Sequence, residues 1–151
     1  MTVNTYDNFE FAWEWKLSAK GNNGVKYFIL QERKATVGHE YQMIDDITVK
    51  DAFSSNASFY LVVKPSKDKP NKPMGQWNRS RIVVQSNHVE HWLNGAKVLE
   101  YECGSPEVMN QVLKTKFKSY PGFGEKVSGH ILLTDHKDPC WYRNIKIREF
   151  K

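Results

Sequence analysis

An all-β fold, two antiparallel sheets packed as a jelly-roll sandwich with one short helix, is what this sequence predicts, and three observations carry the prediction. Stretches of strand character, about eight to ten of them, recur at regular spacing. Clusters of Gly, Asn, Asp and Pro separate them, and a single segment has helical periodicity. No strand–helix–strand alternation supports a parallel sheet, which leaves a sandwich as the architecture that lets each half-apolar strand bury one face.

The strands follow in order. Between Phe9 and Leu17 the odd positions are Phe9, Phe11, Trp13, Trp15 and Leu17, and the even ones Glu10, Ala12, Glu14 and Lys16, a period of two. Gly21-Asn22-Asn23-Gly24 tolerates positive φ, so a hairpin into Val25–Leu30 is expected. Gly38 to Asp46 alternates again, with Tyr41 and Met43 on one face and Glu40 and Gln42 on the other. Asp45-Asp46 lacks the ligand spacing of a calcium loop and reads as a turn or strand terminus. Ser58–Val63 is apolar on both faces and is expected to be a covered strand. Three prolines between Pro65 and Pro73 make that stretch a loop. Arg79–Gln85, Asn87–Leu93 and Ala96–Tyr101 follow, the last two joined by Asn94-Gly95, whose residues suit both positive-φ positions of a type I′ turn. Ser105 as cap, Pro106 at the first turn, and Val108, Met109, Val112, Leu113 and Phe117 at helical spacing place the one helix. Gly129–Leu133 and Trp141–Ile147 complete the strands.

Length and charge bound the function. A chain of 151 residues is expected to make one domain, 1–151, that needs no covalent staple. The net charge of +5 is scattered, densest at Lys64, Lys67, Lys69 and Lys72 in the Pro-rich loop. Without interleaved aromatics or a Gly-rich phosphate cradle, that loop is read as solvated, and no nucleic-acid partner is expected. No run approaches the roughly 20 apolar residues of a membrane span, so no membrane partner is expected either. Met1–Thr5 has no signal-peptide pattern, and localisation stays open. Cys103 and Cys140 have no metal-ligand spacing, and a disulfide between them can be neither inferred nor excluded.

Several residues are candidates for chemistry. Glu40 and Gln42, two apart on one strand face, can address the same small polar ligand, or can simply form a solvated face. Lys26 is the one charge in its strand, either an ammonium reaching the sheet edge or a functional cation. His91 shares a face with Val89 and Leu93, which suits a buried structural histidine as well as a catalytic one. Thr134–Pro139 is the densest ionisable cluster, where Asp135 beside His136 could orient or protonate a substrate.

Taken together and in order, the segments Tyr6–Phe11, Glu14-Trp15-Lys16, Gly21–Phe28, Glu40–Asp45, Gly75–Asn78, His88–Gly95, Leu133–His136 and Arg143–Glu149 resemble the 3-keto-disaccharide hydrolase domain family. That family is a concanavalin-A-like jelly roll found in sugar-using bacteria, often periplasmic or extracellular. Its members usually carry further strands before the equivalent of Tyr6. Here the chain starts almost at that tyrosine, so a compensating homo-oligomer contact or a rearranged sheet is expected.

The resemblance implies a sugar or oligosaccharide ligand and hydrolysis of a 3-keto-glycoside by elimination and hydration. Such a reaction needs a base near C2, a donor to the departing oxygen and a positive group at the developing enolate. Glu40 or His91 would be the base, and His136, oriented by Asp135, the acid. Lys26 or a bound divalent cation would stabilise the enolate, although the sequence requires no cofactor. Gln42, Asn78 and Trp77 would hold sugar hydroxyls and a ring face. The alternative on the same sandwich is a non-catalytic carbohydrate-binding module, for which five tryptophans and seven tyrosines supply stacking surface.

Overall fold

The computed structural model describes residues 1–151. Eight strands form two antiparallel sheets: β1 (Phe9–Leu17), β2 (Asn22–Ile29), β3 (His39–Ile44), β4 (Asn78–Gln85), β5 (His88–Leu93), β6 (Ala96–Glu102), β7 (His130–Leu133) and β8 (Cys140–Glu149). The larger sheet has the order β6-β5-β4-β1-β8 and the smaller the order β3-β2-β7. They pack face to face over one apolar core, the sandwich that the sequence predicts.

β1 is the spine of the larger sheet. Its odd residues are buried and its even ones half-buried, as the period of two demands. Trp13 and Trp15, at 1% and 0% exposure, fill the middle of the core, with the Trp13 ring edge-on to Tyr41 at 5.0 Å between centroids. β5 and β6 form the expected hairpin, with Asn94 and Gly95 at φ 47° and 88°. The helix, α1 (Pro106–Val112), starts where the cap predicts: the Ser105 hydroxyl accepts from the Val108 N–H at 3.3 Å. Cys103 and Cys140 are both free thiols.

Four expectations are corrected. The Gly21–Gly24 segment makes no hairpin, because β1 already pairs on both sides, with β4 and β8, and offers β2 no edge. The chain instead turns at Ser18, where the Gly21 N–H meets the Ser18 carbonyl at 3.0 Å, and crosses to the smaller sheet. Residues 58–63 are not a strand but a tight turn, with the Phe59 N–H donating to the Val63 carbonyl and Leu61 at φ 67°. Their apolar character comes from use as a plug: Phe59 and Val62 enter the core while the backbone covers the open edge of β3. Phe117 does not continue α1. It sits in a separate single turn of 3-10 helix, Lys116–Ser119, capped by Thr115. Finally, β3 is buried on both faces along its whole length, so the polar side of Glu40 and Gln42 is not an ordinary solvated one.

Two hydrogen-bond relays tie β3 across the core. The His91 Nδ1 lies 2.9 Å from the Ala57 carbonyl, which can only accept, so this nitrogen carries the proton. His91 Nε2 must then accept from the Tyr27 hydroxyl at 2.7 Å, Tyr27 from the Tyr101 hydroxyl at 2.8 Å, and Tyr101 from His39 Nδ1 at 2.8 Å. The relay runs one way from small sheet to large and back, every member neutral. A second relay passes from Trp15 Nε1 to Ser80 Oγ, on to the Tyr41 hydroxyl, and from there to the Trp92 carbonyl.

Burial holds both imidazoles low, His39 at about 3, with Arg33 and His91 adding to the effect, and His91 at about 4. A histidine whose folded pKa lies below its unfolded value of about 6.5 contributes stability that is whole above that value and is lost as pH falls. Stability is therefore expected to drop between pH 6.5 and 5, above the carboxylate range, with His91 alone contributing on the order of 3 kcal/mol once pH reaches its folded pKa. Glu40, raised by burial, titrates with the opposite sign, so Glu40→Gln should steepen the loss. Urea midpoints of both proteins from pH 7.5 to 4.5 check this; a flat profile above pH 5 would contradict it.

Candidate active site

The His39 and Tyr41 side chains are held inward by the relays, so strand parity turns Glu40, the residue between them, to the outer face of the smaller sheet. There it lies over β2. A Cβ added to Gly24 would collide with Glu40 Oε1, so glycine leaves room for the carboxylate where it stands. Lys26, two residues on, is the cross-strand partner of Glu40. Lys116 approaches from the 3-10 turn, its ammonium 5.3 Å from the Tyr60 ring centre and 5.5 Å from that of Phe117.

These groups enclose a cleft of about 250 Å³, walled by Lys26, Gly38, Glu40, Lys116, Ser119 and Tyr120. Glu40 is 7% exposed, and its carboxylate makes neither a hydrogen bond nor an ion pair with another residue. The Lys26 ammonium is turned to the Thr36 carbonyl at 3.1 Å. Burial raises the Glu40 carboxyl above the usual carboxylate range, while Lys26 and Lys116 pull it partly back. A buried, unpaired carboxylate facing two ammonium groups can take up and release a proton, and the cations can receive negative charge that develops beside it.

Of the other sequence candidates, Gln42 follows Glu40 on the same face, but its amide donates to the Ser54 carbonyl at 3.4 Å beneath the 52–58 segment. His91 belongs to the core at 0% exposure with both ring nitrogens bonded, which removes it as a base. Asn78 is buried at the far end of β4. Its Oδ1 accepts from the Lys72 N–H and the Asn94 amide, so it clamps loops rather than sugar. Trp77 packs with Lys16 and Arg143 on the outer face of the larger sheet, across the sandwich from Glu40. Asp135 does not orient His136: its carboxylate takes the Lys137 N–H at 2.8 Å within an exposed loop. That loop nevertheless begins beside the site, since the Thr134 N–H donates to the Gly24 carbonyl at 3.0 Å.

Lys116, Ser119 and Tyr120 are the site residues that sequence reasoning missed. The Thr115 cap followed by Phe117 was a legible signal for a short turn. Its docking over β3 had no local signal. The grouping with metal-ligand character, His88, Glu90 and Glu100, lies on the outer face of the larger sheet and is already bridged by Lys97, 3.5 Å from Glu90 and 2.6 Å from Glu100. Around Glu40 the neighbouring charges are ammonium groups, a poor donor set for a divalent cation.

A carboxylate cleft on the outer face of a concanavalin-A-like sandwich defines the class. The chain belongs to the 3-keto-alpha-glucoside-1,2-lyase-like domain family, whose model matches residues 1–148. It is 31% identical over 172 aligned positions to a 3-keto-disaccharide hydrolase of Bacteroides thetaiotaomicron, a match that takes in 95% of this chain and 59% of that protein. The chain thus spans less than two thirds of that relative's length. Two crystal structures of proteins from Parabacteroides distasonis, each described as a "putative glycosyl hydrolase", share the fold. One has 29% identity and a TM-score of 0.88, over 99% of this chain and 73% of its own. The other has 27% identity and a TM-score of 0.79, over 99% and 81%.

Since Lys116 lowers the Glu40 pKa by its charge, Lys116→Met should move it further up. Titration of the Glu40 side-chain carboxyl followed by carbon NMR would show the shift; an unmoved or lowered value would place Lys116 outside the site.

Proposed function

We propose that this domain hydrolyses 3-keto-glycosides, by elimination at C1–C2 followed by hydration, with Glu40 as the base. The observation that supports this reading best is the unpaired carboxylate, 7% exposed, facing two lysines in a sugar-sized cleft. The 3-keto-disaccharide hydrolase named above and the family assignment support the substrate class.

The chemistry asks little of the protein beyond placement. A carbonyl at C3 acidifies the C2 proton, which Glu40 removes, leaving the electron pair as an enolate on the C3 oxygen. Lys26 and Lys116 stabilise that charge. As the enolate collapses, the C1–O bond breaks, and the leaving oxygen takes a proton from protonated Glu40 or from solvent. Water then adds across the C1–C2 double bond to give the free 3-keto sugar. A base with a pKa raised by burial suits abstraction of a carbon-bound proton better than an ordinary carboxylate does. Tyr120 and Ser119 at the rim offer hydroxyls to the sugar. His136, in the exposed loop that starts at Thr134, is the remaining candidate for a proton donor to the leaving group.

Glu40→Gln should lower turnover of a 3-keto-disaccharide by about 10²–10⁴-fold with little change in folding. Gly24→Ala should displace the carboxylate and cost about 10–100-fold, again with the sandwich intact. Release of free sugar, measured by chromatography, reads both. Full turnover in Glu40→Gln would remove the proposal. Tryptophan fluorescence changes without any sugar release by the unaltered domain would favour a binding module instead.

A further inference from the structure

The opposite side of the sandwich carries a separate surface. On the outer face of β4, β1 and β8, strand parity and register align Arg79 and Arg81 on β4, Lys16 on β1, and Arg143, Lys146 and Arg148 on β8. Only two carboxylates, Glu10 and Glu14, share these three strands' outer face. Six cations against two acids leave a surplus of four, on a chain whose whole net charge is +5. The acids do not neutralise the face. Glu14 is held by Arg143 at 2.7 Å, and Glu10 is shared by Arg148 at 3.3 Å and Arg81 at 3.8 Å. Lys16, Arg79 and Lys146 form no ion pair.

Aromatic rings interleave with this charge. The Arg81 guanidinium lies 4.3 Å from the Trp92 ring centre and Arg143 lies 4.0 Å from that of Trp77. Lys16 sits 4.6 Å from the centre of Trp141, which is 46% exposed. At the middle of the face, the small side chain of Ala12 leaves a depression of about 230 Å³ between Arg79, Arg81 and Trp92, with the Arg-paired Glu10 at its wall. Ala12 is flanked in register by Arg81 on one side and Lys146 on the other. The neighbouring strands β5 and β6 carry the contrary sign, with Glu90, Glu100 and Glu102 around His88 and Lys97. The cationic zone is therefore bounded along one side and runs lengthwise over three strands.

We infer that this face binds an acidic polysaccharide, a uronate polymer whose carboxylates seat on Arg79, Arg81 and Lys146 around Ala12 while its chain runs past the exposed Trp141. Guanidinium groups match a carboxylate in two parallel hydrogen bonds. Of the three seating cations, Arg79 and Lys146 are free to bind a carboxylate without first breaking a salt bridge, while Arg81 is held only by a 3.8 Å pair with Glu10. A nucleic acid would need open ring faces for its bases to stack on. Arg81, Arg143 and Lys16 already lie over the Trp92, Trp77 and Trp141 rings, which favours a chain recognised by its carboxylates over one recognised by stacking. The site lies across the core from Glu40 and does not rest on the reaction proposed for that residue.

The test is affinity electrophoresis of the whole domain through gels containing polygalacturonate, neutral dextran or oligothymidylate. Retardation by polygalacturonate alone is expected, weakening as salt is raised. The double variant Arg79→Gln/Lys146→Gln should lose at least about 10-fold in affinity, and Glu40→Gln none. Both carry exposed or cleft substitutions, and a melting curve confirms folding; Lys16→Gln gives an independent loss should the double variant fail to fold. Equal retardation by dextran, unchanged binding in the charge variants, or tighter binding of oligothymidylate than of polygalacturonate would overturn the inference.

Discussion

The constraint on which the site depends is the pair of hydrogen-bond relays through His39 and Tyr41. β3 is an edge strand, and an edge strand with ionisable residues on both sides has no strong reason to choose a register. The relays supply the reason. His39 is bound through Tyr101 and Tyr27 to His91, and Tyr41 through Ser80 to Trp15, so both inward side chains have fixed polar partners in the larger sheet. A shift by one residue would place Glu40 in that interior. There it would meet partners arranged for neutral donors and acceptors, at a cost of several kcal/mol. Glu40 is thus aimed outward by its neighbours rather than by contacts of its own.

Much of this was legible in the sequence, and the missing part has a physical cause. The alternation of β1, the Asn94-Gly95 turn and the Ser105 cap are local properties, and each appears where the residues place it. The face of Glu40 followed from parity. Its surroundings did not, because the covering elements, the turn at 58–63 and the 3-10 turn at Lys116–Ser119, come from distant segments. The same limit explains Gly21–Gly24: turn chemistry shows that the chain reverses, not whether the next strand joins the same sheet. His91 could be read both ways, with the structural histidine favoured. Its alternation with Val89 and Leu93 pointed to the core, and the acceptor that makes burial tolerable, the Ala57 carbonyl, lies 34 residues away.

The two outer faces of the sandwich have different chemical characters, and topology explains the division. The smaller sheet has only three strands, short enough for the 3-10 turn and the loop before β3 to roof part of it, making a partly covered cleft. The larger sheet has five strands and no roof, so its outer face stays flat and well solvated. The first environment raises the pKa of a carboxylate placed in it. The second leaves cations charged and accessible, since little desolvation opposes them.

An unpaired, nearly buried carboxylate is costly, and that cost bears on what the cleft is for. Were Glu40 merely structural, a hydrogen bond from a neighbouring donor would relieve it, and donors are near: the Lys26 ammonium instead serves the Thr36 carbonyl, and Lys116 rests against aromatic rings. Both cations are close enough to moderate its charge but neither is bonded to it. A direct ion pair would push the carboxyl low and leave it a poor base, whereas complete isolation would leave it protonated and unable to accept. The intermediate arrangement suits a group that must exchange a proton repeatedly, and the relays on its two sides supply the rigidity that holds it there.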